Sequence, residues 1–415
     1  MSFRLFIFMF LRGGAYGAIA PFGAIALIDA GVSVGLIGPI AGIGALITII
    51  AAPVWGVLGD RKGRRKMLAI AFAIGGIAAL GHAAGARGLL IAAVMVWTAA
   101  SAAFIPIGDS MTLSRLQNDR ARYSRVRIGA TIGYCVAAVA VGAVALSIGW
   151  GSIALVGGLL CLVAAIVLFA RLQNDRRARR VAFATRGQHA EAGLEWAAPE
   201  AAGSVAESAG DEAGALSLLA RIRDRWAFIA GLAIVFAGAN APTIFVGPKL
   251  VTIGGSPFDV GIATAASAII EVPAFLVLPA LITRFGGRRL FIVGTVLMTL
   301  SSIGAALAPL PGIVVVARLL FGAGYAAMIV PSLSAIAGSA RPGEGSAIQA
   351  LHFGANAAGT LLVAIVGLPL AEGGGASAIM AGAALAAPLG AIVAVRRWPK
   401  ARTAKPVARR AKVTA

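Results

Sequence analysis

The sequence predicts an all-α membrane protein of twelve transmembrane helices in two six-helix halves, and three observations predict it. The chain is too apolar for water: 59% of its 415 residues are hydrophobic and 13% are charged, where soluble domains carry roughly 25% charged residues. Its apolar residues fall in runs of about twenty, the length one helix needs to cross roughly 30 Å of hydrocarbon. Lys and Arg crowd into alternate connectors, as they do when successive helices cross a bilayer in opposite directions.

The first run, 3–28, reaches span length and is followed by others, so it reads as a transmembrane helix and not as a cleaved signal peptide despite Arg4. The second, 34–58, ends in Arg61, Lys62, Arg64, Arg65 and Lys66. The third, 66–86, and the fourth, 88–112, meet at a connector carrying only Arg87, and the fourth ends in Arg115, Arg120, Arg122 and Arg125. The fifth, 125–146, turns near Gly151 into the sixth, 148–170, which runs into a basic cluster from Arg171 to Arg180. In the second half the runs are 226–250, 257–283, 288–308, 311–337, 342–368 and 375–395. Their basic connectors hold Arg284, Arg288 and Arg289, then Arg341, then the stretch from Arg396 to Lys412. The expected organisation is an N-terminal half (1–170), a linker (171–224), a C-terminal half (225–395) and a basic tail (396–415). The charge asymmetry places linker, tail and both termini in the cytoplasm, with the helices in the cell inner membrane.

A formal charge of +20 would point to nucleic acid in a soluble protein. Here topology explains it, so no nucleic-acid partner is expected; the basic tail suits anionic lipid. The linker passes through AAPEAAGSVAESAGDEAGA, which buries nothing and predicts disorder, and ends in ALSLLARIRDRW, a candidate amphipathic helix with Trp226 at headgroup level. Cys135 and Cys161 lie inside apolar runs and read as small packing residues. Three His, two Cys and no metal-ligand or phosphate-loop spacing argue against a membrane enzyme. No cofactor or metal is expected.

One connector is specific. Gly56-Val-Leu-Gly-Asp60-Arg61-Lys-Gly63-Arg64-Arg65 follows the second run, and its weaker copy LITRFGGRRLF holds the same place in the second half, with Thr283 in the position of Asp60. Gly56 would permit tight helix contact, Asp60 can pair with Arg61 or with a helix terminus across the halves, and Gly63 permits a turn. These residues with Arg64 and Arg65 form a candidate gate. The segment matches the signature G-x-L-x-D-R-x-G-R-[RK] of the major facilitator superfamily, and the chain resembles its members. The resemblance implies a secondary transporter of a small organic solute, working by alternating access.

Polar groups inside the runs are the candidate site. Asp109 and Arg127 each lie nine residues from Asn118 at the intervening turn, so they sit at similar depth on adjacent antiparallel helices and can pair. Around them IPIGDSMTL and RYSRVRIGATIGY resemble the lactose permease and phenylpropionate-permease-like branch, with Ala130 where its R-x-R-x-x-G-x-x-G pattern has its first Gly. That resemblance implies substrate contact by Asp109 and Arg127; a structural salt bridge is the equal alternative. Glu271 lies mid-span in the eighth run and is the favoured proton carrier, its alternative being a bonded carboxyl in a helix kink. Gln349, His352 and Asn356 share one face of the eleventh run and can line a cavity with Asn240 of the seventh; for His352 an interhelical hydrogen bond is the alternative. Lys249 and Arg318 are expected near span ends, snorkelling. The tenth run, RLLFGAGYAAM, lacks the His and Glu that the lactose permease pattern uses for coupling. Proton symport is the expectation. A drug or sugar efflux pump and a non-transporting receptor or scaffold are the alternatives.

Overall fold

The computed structural model describes residues 2–84, 86–116, 120–170, 212–338 and 345–399. Among the described residues regular structure is entirely helical, and twelve helices are long and apolar enough to cross a membrane. In order they are Phe3–Asp29, Val34–Lys62, Arg64–Ala83, Arg87–Arg115, Arg125–Ile148 and Ile153–Ala170, then Arg225–Thr252, Pro257–Ala274, Gly287–Leu307, Pro311–Ile336, Leu351–Ala371 and Gly374–Arg396. Large apolar side chains such as Ile50, Ile77, Ile166, Leu300 and Ile365 are exposed on these helices, as suits helices whose surroundings are lipid.

The seventh span starts at Arg225, within a residue of the expectation, but the helix that carries it starts earlier. Its helix begins at Glu212, inside the segment assigned to the linker, and runs unbroken to Thr252. The candidate amphipathic helix is therefore the first part of one long helix, since nothing between Arg225 and Trp226 breaks the hydrogen-bond ladder. Residues 171–211 and the tail from 400 lie outside the described residues.

The internal repeat is repeated in backbone conformation. Gly63 closes the second span at φ 97°, ψ 118° and Gly286 closes the eighth-span helix at φ 83°, ψ 141°. Each N–H bonds the carbonyl four residues back, to Gly59 and to Ile282. A positive φ is costly for any residue with a Cβ, so glycine at both places gives each half the same turn.

The fourth span is broken between Ser101 and Phe104, ahead of Pro106, whose missing N–H cannot continue the ladder. Exposed carbonyls are expensive in hydrocarbon, and two beside this break are satisfied from other spans. Trp55 Nε1 donates to the Ala99 carbonyl at 2.8 Å and Tyr16 Oη donates to the Ser101 carbonyl at 2.9 Å.

Helices pack closely where side chains are absent. A methyl placed on Gly13, Gly17 or Gly133 would collide with backbone of the facing span, tying the first span to the fifth. Between the halves the tight approaches lie away from the basic loops. Gly142 meets Pro257 and Phe258, Gly261 meets Ala138, Gly38 and Gly42 meet Ala364, and Gly247 meets Ile25.

Candidate functional site

Asp109 sits five residues past the break in the fourth span, which turns its carboxylate toward the first and fifth spans. Asp109 Oδ2 lies 3.9 Å from Arg127 Nη1, so the pair expected from their equal spacing about Asn118 is present, although Asn118 itself is outside the described residues. Its tighter partner was not anticipated. Arg12 of the first span is buried and pairs with Asp109 Oδ1, while also reaching the Phe104 carbonyl at the break. The available signal was an arginine in the middle of an apolar run, FLRGGAYG, because an ionisable side chain at that depth has a partner or a function by default. Arg127 is more open, with its side chain 56% exposed, and its Nη1 donates to Tyr123 Oη at 3.3 Å. Tyr123, two residues before the span, is held above the usual phenol range by burial, so it stays neutral beside these charges.

A second group of polar side chains lies between the eighth, tenth and fifth spans. Arg318 requires a correction: it is not a snorkelling end residue but is 5% exposed, seven residues beyond Pro311. At 1.5 Å per residue that is about 10 Å inside the helix end, too deep for its stem to reach the headgroups when it points inward. Its Nη2 donates to Ser267 Oγ at 2.9 Å, and its guanidinium lies 4.2 Å from the Phe321 ring centroid. Nε and Nη1 are buried with no acceptor among the described residues. Lys249 does lie near a span end, yet it is 7% exposed and so does not snorkel either.

Glu271 is half-buried on the eighth span and has no hydrogen bond or ion pair among the described residues. It lies within electrostatic reach of Arg318 on the tenth span and of Arg127 on the fifth, so charged groups of the two halves face one another.

The eleventh-span stripe is divided. His352 is buried, its Nε2 is 3.0 Å from Ser332 Oγ and its ring packs edge-on against Phe236, which is the interhelical alternative. Asn356 Oδ1 accepts from Asn240 Nδ2 at 2.8 Å, and the same amide reaches Thr360 Oγ1 at 2.9 Å. Asn240 and Asn356 thus meet across the seventh and eleventh spans. The Gln349 side chain lies outside the described residues.

In the signature loop Asp60 pairs with Arg64, at 2.8 and 2.9 Å, and among the described residues not with Arg61 or across the halves. The Gly63 turn is the reason, because it folds the start of the third span back over the last turn of the second. Both partners are solvent-facing. A methyl on Gly56 would meet nothing within 4 Å, so the tight contact expected there is absent in this conformation; Arg61 is exposed and Arg65 is buried.

The chain and its fold have counterparts among known proteins. The sequence pattern described as MFS_1 like family matches residues 2–367. The chain is 29% identical over 141 residues to the maltose permease of Geobacillus stearothermophilus, a match covering 33% of this chain and 35% of that protein. The crystal structure of the nucleoside transporter NupG superposes with a TM-score of 0.72 at 15% identity, covering 95% of this chain and 98% of that one. That of an auto-inhibited POT family peptide transporter gives 0.69 at 13% identity, covering 97% and 99%. Such low identities speak for the fold alone, which is that of major facilitator transporters. With the family pattern running through most of its length and this fold beneath it, the chain belongs to the MFS_1 like family and is a multi-pass membrane transporter of the major facilitator type, not an enzyme.

Proposed function

We propose that this protein is a proton-coupled secondary transporter of a small organic solute, with Glu271 as the proton carrier and Asp109 and Arg127 at the solute site. The observation that carries the reading is Glu271: a half-buried carboxylate inside a span, without hydrogen bond or ion pair among the described residues, facing guanidinium groups of both halves. Such a group changes environment when two halves rock against each other, and it takes up or releases its proton as wet and dry surroundings alternate. Asn240 and Asn356 supply neutral polar groups from the C-terminal half, opposite Asp109 and Arg127. Gln349 remains a candidate solute ligand, whereas His352, sealed against Ser332 and Phe236, is assigned no direct contact with solute.

The basic loops orient the protein in the cell inner membrane with both termini in the cytoplasm. On that orientation the tight glycine contacts close the outer end. Gly56 and the Asp60, Arg61, Gly63, Arg64 and Arg65 loop would engage the other half when the cytoplasmic end closes. Import by symport fits a carboxylate that is loaded outside; efflux by antiport is the second reading and uses the same residue.

The test is flux in proteoliposomes under an imposed pH gradient, over sugars, nucleosides and aromatic acids, comparing the parent with Glu271→Gln. Gradient-driven accumulation is expected in the parent and lost in Glu271→Gln, while solute exchange without a gradient persists. Gradient-driven accumulation that survives in Glu271→Gln removes the assignment.

A further inference from the structure

Three guanidinium groups and two carboxylates gather around the interface between the halves: Arg12, Arg127 and Arg318 against Asp109 and Glu271. Asp109 is shared by Arg12 and Arg127. That leaves Arg318 as a buried cation with one neutral hydroxyl acceptor and one aromatic face, and with Nε and Nη1 unpartnered. An unpaired buried charge is among the costliest arrangements a protein can hold, more so within a membrane. A guanidinium presents two edges, Nε with Nη2 and Nη1 with Nη2, and Nη2 has a second N–H beyond the one given to Ser267. Whichever Nη2 hydrogen Ser267 takes, the other edge keeps the two parallel donors that a carboxylate accepts.

We infer that Arg318 is the anchor for a carboxylate on the transported solute, so that the substrate class is a small organic anion. This rests on the transporter reading above and adds to it a reason for coupling. Glu271 lies within electrostatic reach of Arg318 without pairing with it in this conformation, and when ionised it is the counter-ion the protein itself supplies. When Glu271 takes up a proton, Arg318 loses that counter-ion and the solute carboxylate replaces it; when the solute leaves, Glu271 releases its proton and returns to Arg318. The other groups facing this pair are Tyr134 and Cys135 of the fifth span, Arg127 of the same span, and Tyr325 of the tenth. None of these is a carboxylate, so none replaces Glu271 in the exchange. Arg318 is closed from solvent in this conformation, and entry requires the spans around it to part, as rocking of the halves provides.

The experiment is equilibrium binding to the purified full-length protein at fixed pH, read by calorimetry and by thermal stabilisation, without any gradient. The probes are lactate, benzoate and gluconate, each beside its uncharged amide, lactamide, benzamide and gluconamide. At least one carboxylate is expected to bind while its amide does not. Arg318→Gln should weaken that binding by about 10- to 100-fold, the loss of a charge-assisted hydrogen-bonded contact, and Glu271→Gln should preserve or tighten it. Arg318→Lys keeps the charge without the fork and should bind more weakly than the parent, which keeps the test decisive if Arg318→Gln fails to fold. Binding by none of the three carboxylates, equal binding of acid and amide, or parent-like affinity in either Arg318 variant overturns the inference. The two readings fail separately: proton-driven flux of an uncharged solute, unaffected at Arg318, removes the anion anchor and leaves the transporter, whereas carboxylate binding without proton-driven flux does the reverse.

Discussion

Asp109→Asn is expected to destabilise the protein by about 3–5 kcal/mol, the cost of leaving a buried charge without its partner. The stranded group is Arg12, which is 4% exposed and, among the described residues, hydrogen-bonds only the Phe104 carbonyl besides Asp109. Because that carbonyl lies at the break in the fourth span, loss of Asp109 also loosens the strap between the first and fourth spans. Thermal unfolding in detergent would show a large drop for Asp109→Asn and recovery of most of it when Arg12→Met is added, since removing both charges costs far less than removing one. Arg127→Met added instead should recover little, because Arg127 is open to solvent and pairs at 3.9 Å. A stable Asp109→Asn variant that has lost only solute binding would instead make the carboxylate a solute ligand with no structural part.

The second large effect is expected from bulk at the contact between halves. A methyl on Gly261 would sit 2.5 Å from the Ala138 carbonyl oxygen, and one on Gly142 2.5 Å from that of Pro257. Neither neighbour is the end of a flexible side chain, so Gly261→Val or Gly142→Val must push the fifth and eighth spans apart at the end away from the basic loops. Overpacking costs about 1–3 kcal/mol, which applied to one state of a two-state transporter shifts the balance about 5- to 150-fold toward opening of that end. The reporter is Ile25→Cys, at a buried position packed on Gly247 at the same end, in a Cys135→Ser and Cys161→Ser background. Labelling by a membrane-impermeant maleimide should accelerate by that factor. Gly304→Val, where a Cβ meets nothing within 4 Å, is the control and should leave the rate unchanged. Unchanged labelling in Gly261→Val would mean that the contact does not close that end.

The twelve spans, the two halves and the pairing of Asp109 with Arg127 were legible in the sequence because each rests on local quantities. Apolar run length measures the bilayer, Lys and Arg spacing marks alternate faces, and equal distances from one turn set equal depth on a helical hairpin. The repeated Gly63 and Gly286 turns were legible for the same reason, a backbone conformation that favours one residue type.

Arg12 and Arg318 were not legible as site residues. Arg12 meets Asp109 across 97 residues of sequence, and a run of apolar residues does not say which other run lies against it. Arg318 stands near enough to a predicted span boundary to be taken for an end residue, and only the inward direction of its side chain, toward Ser267, removes it from the headgroups. The eleventh-span stripe shows the same limit: one helix face holds His352 and Asn356, but the first is sealed against Phe236 and Ser332 while the second meets Asn240. The sequence by itself determined how many times the chain crosses the membrane, which connectors share a face and that Asp109, Arg127 and Glu271 lie inside. The tertiary structure alone decided which charge met which partner and which was left without one, because pairing depends on the packing of helices distant in sequence and hydrophobic periodicity fixes only the depth and face of each helix taken singly.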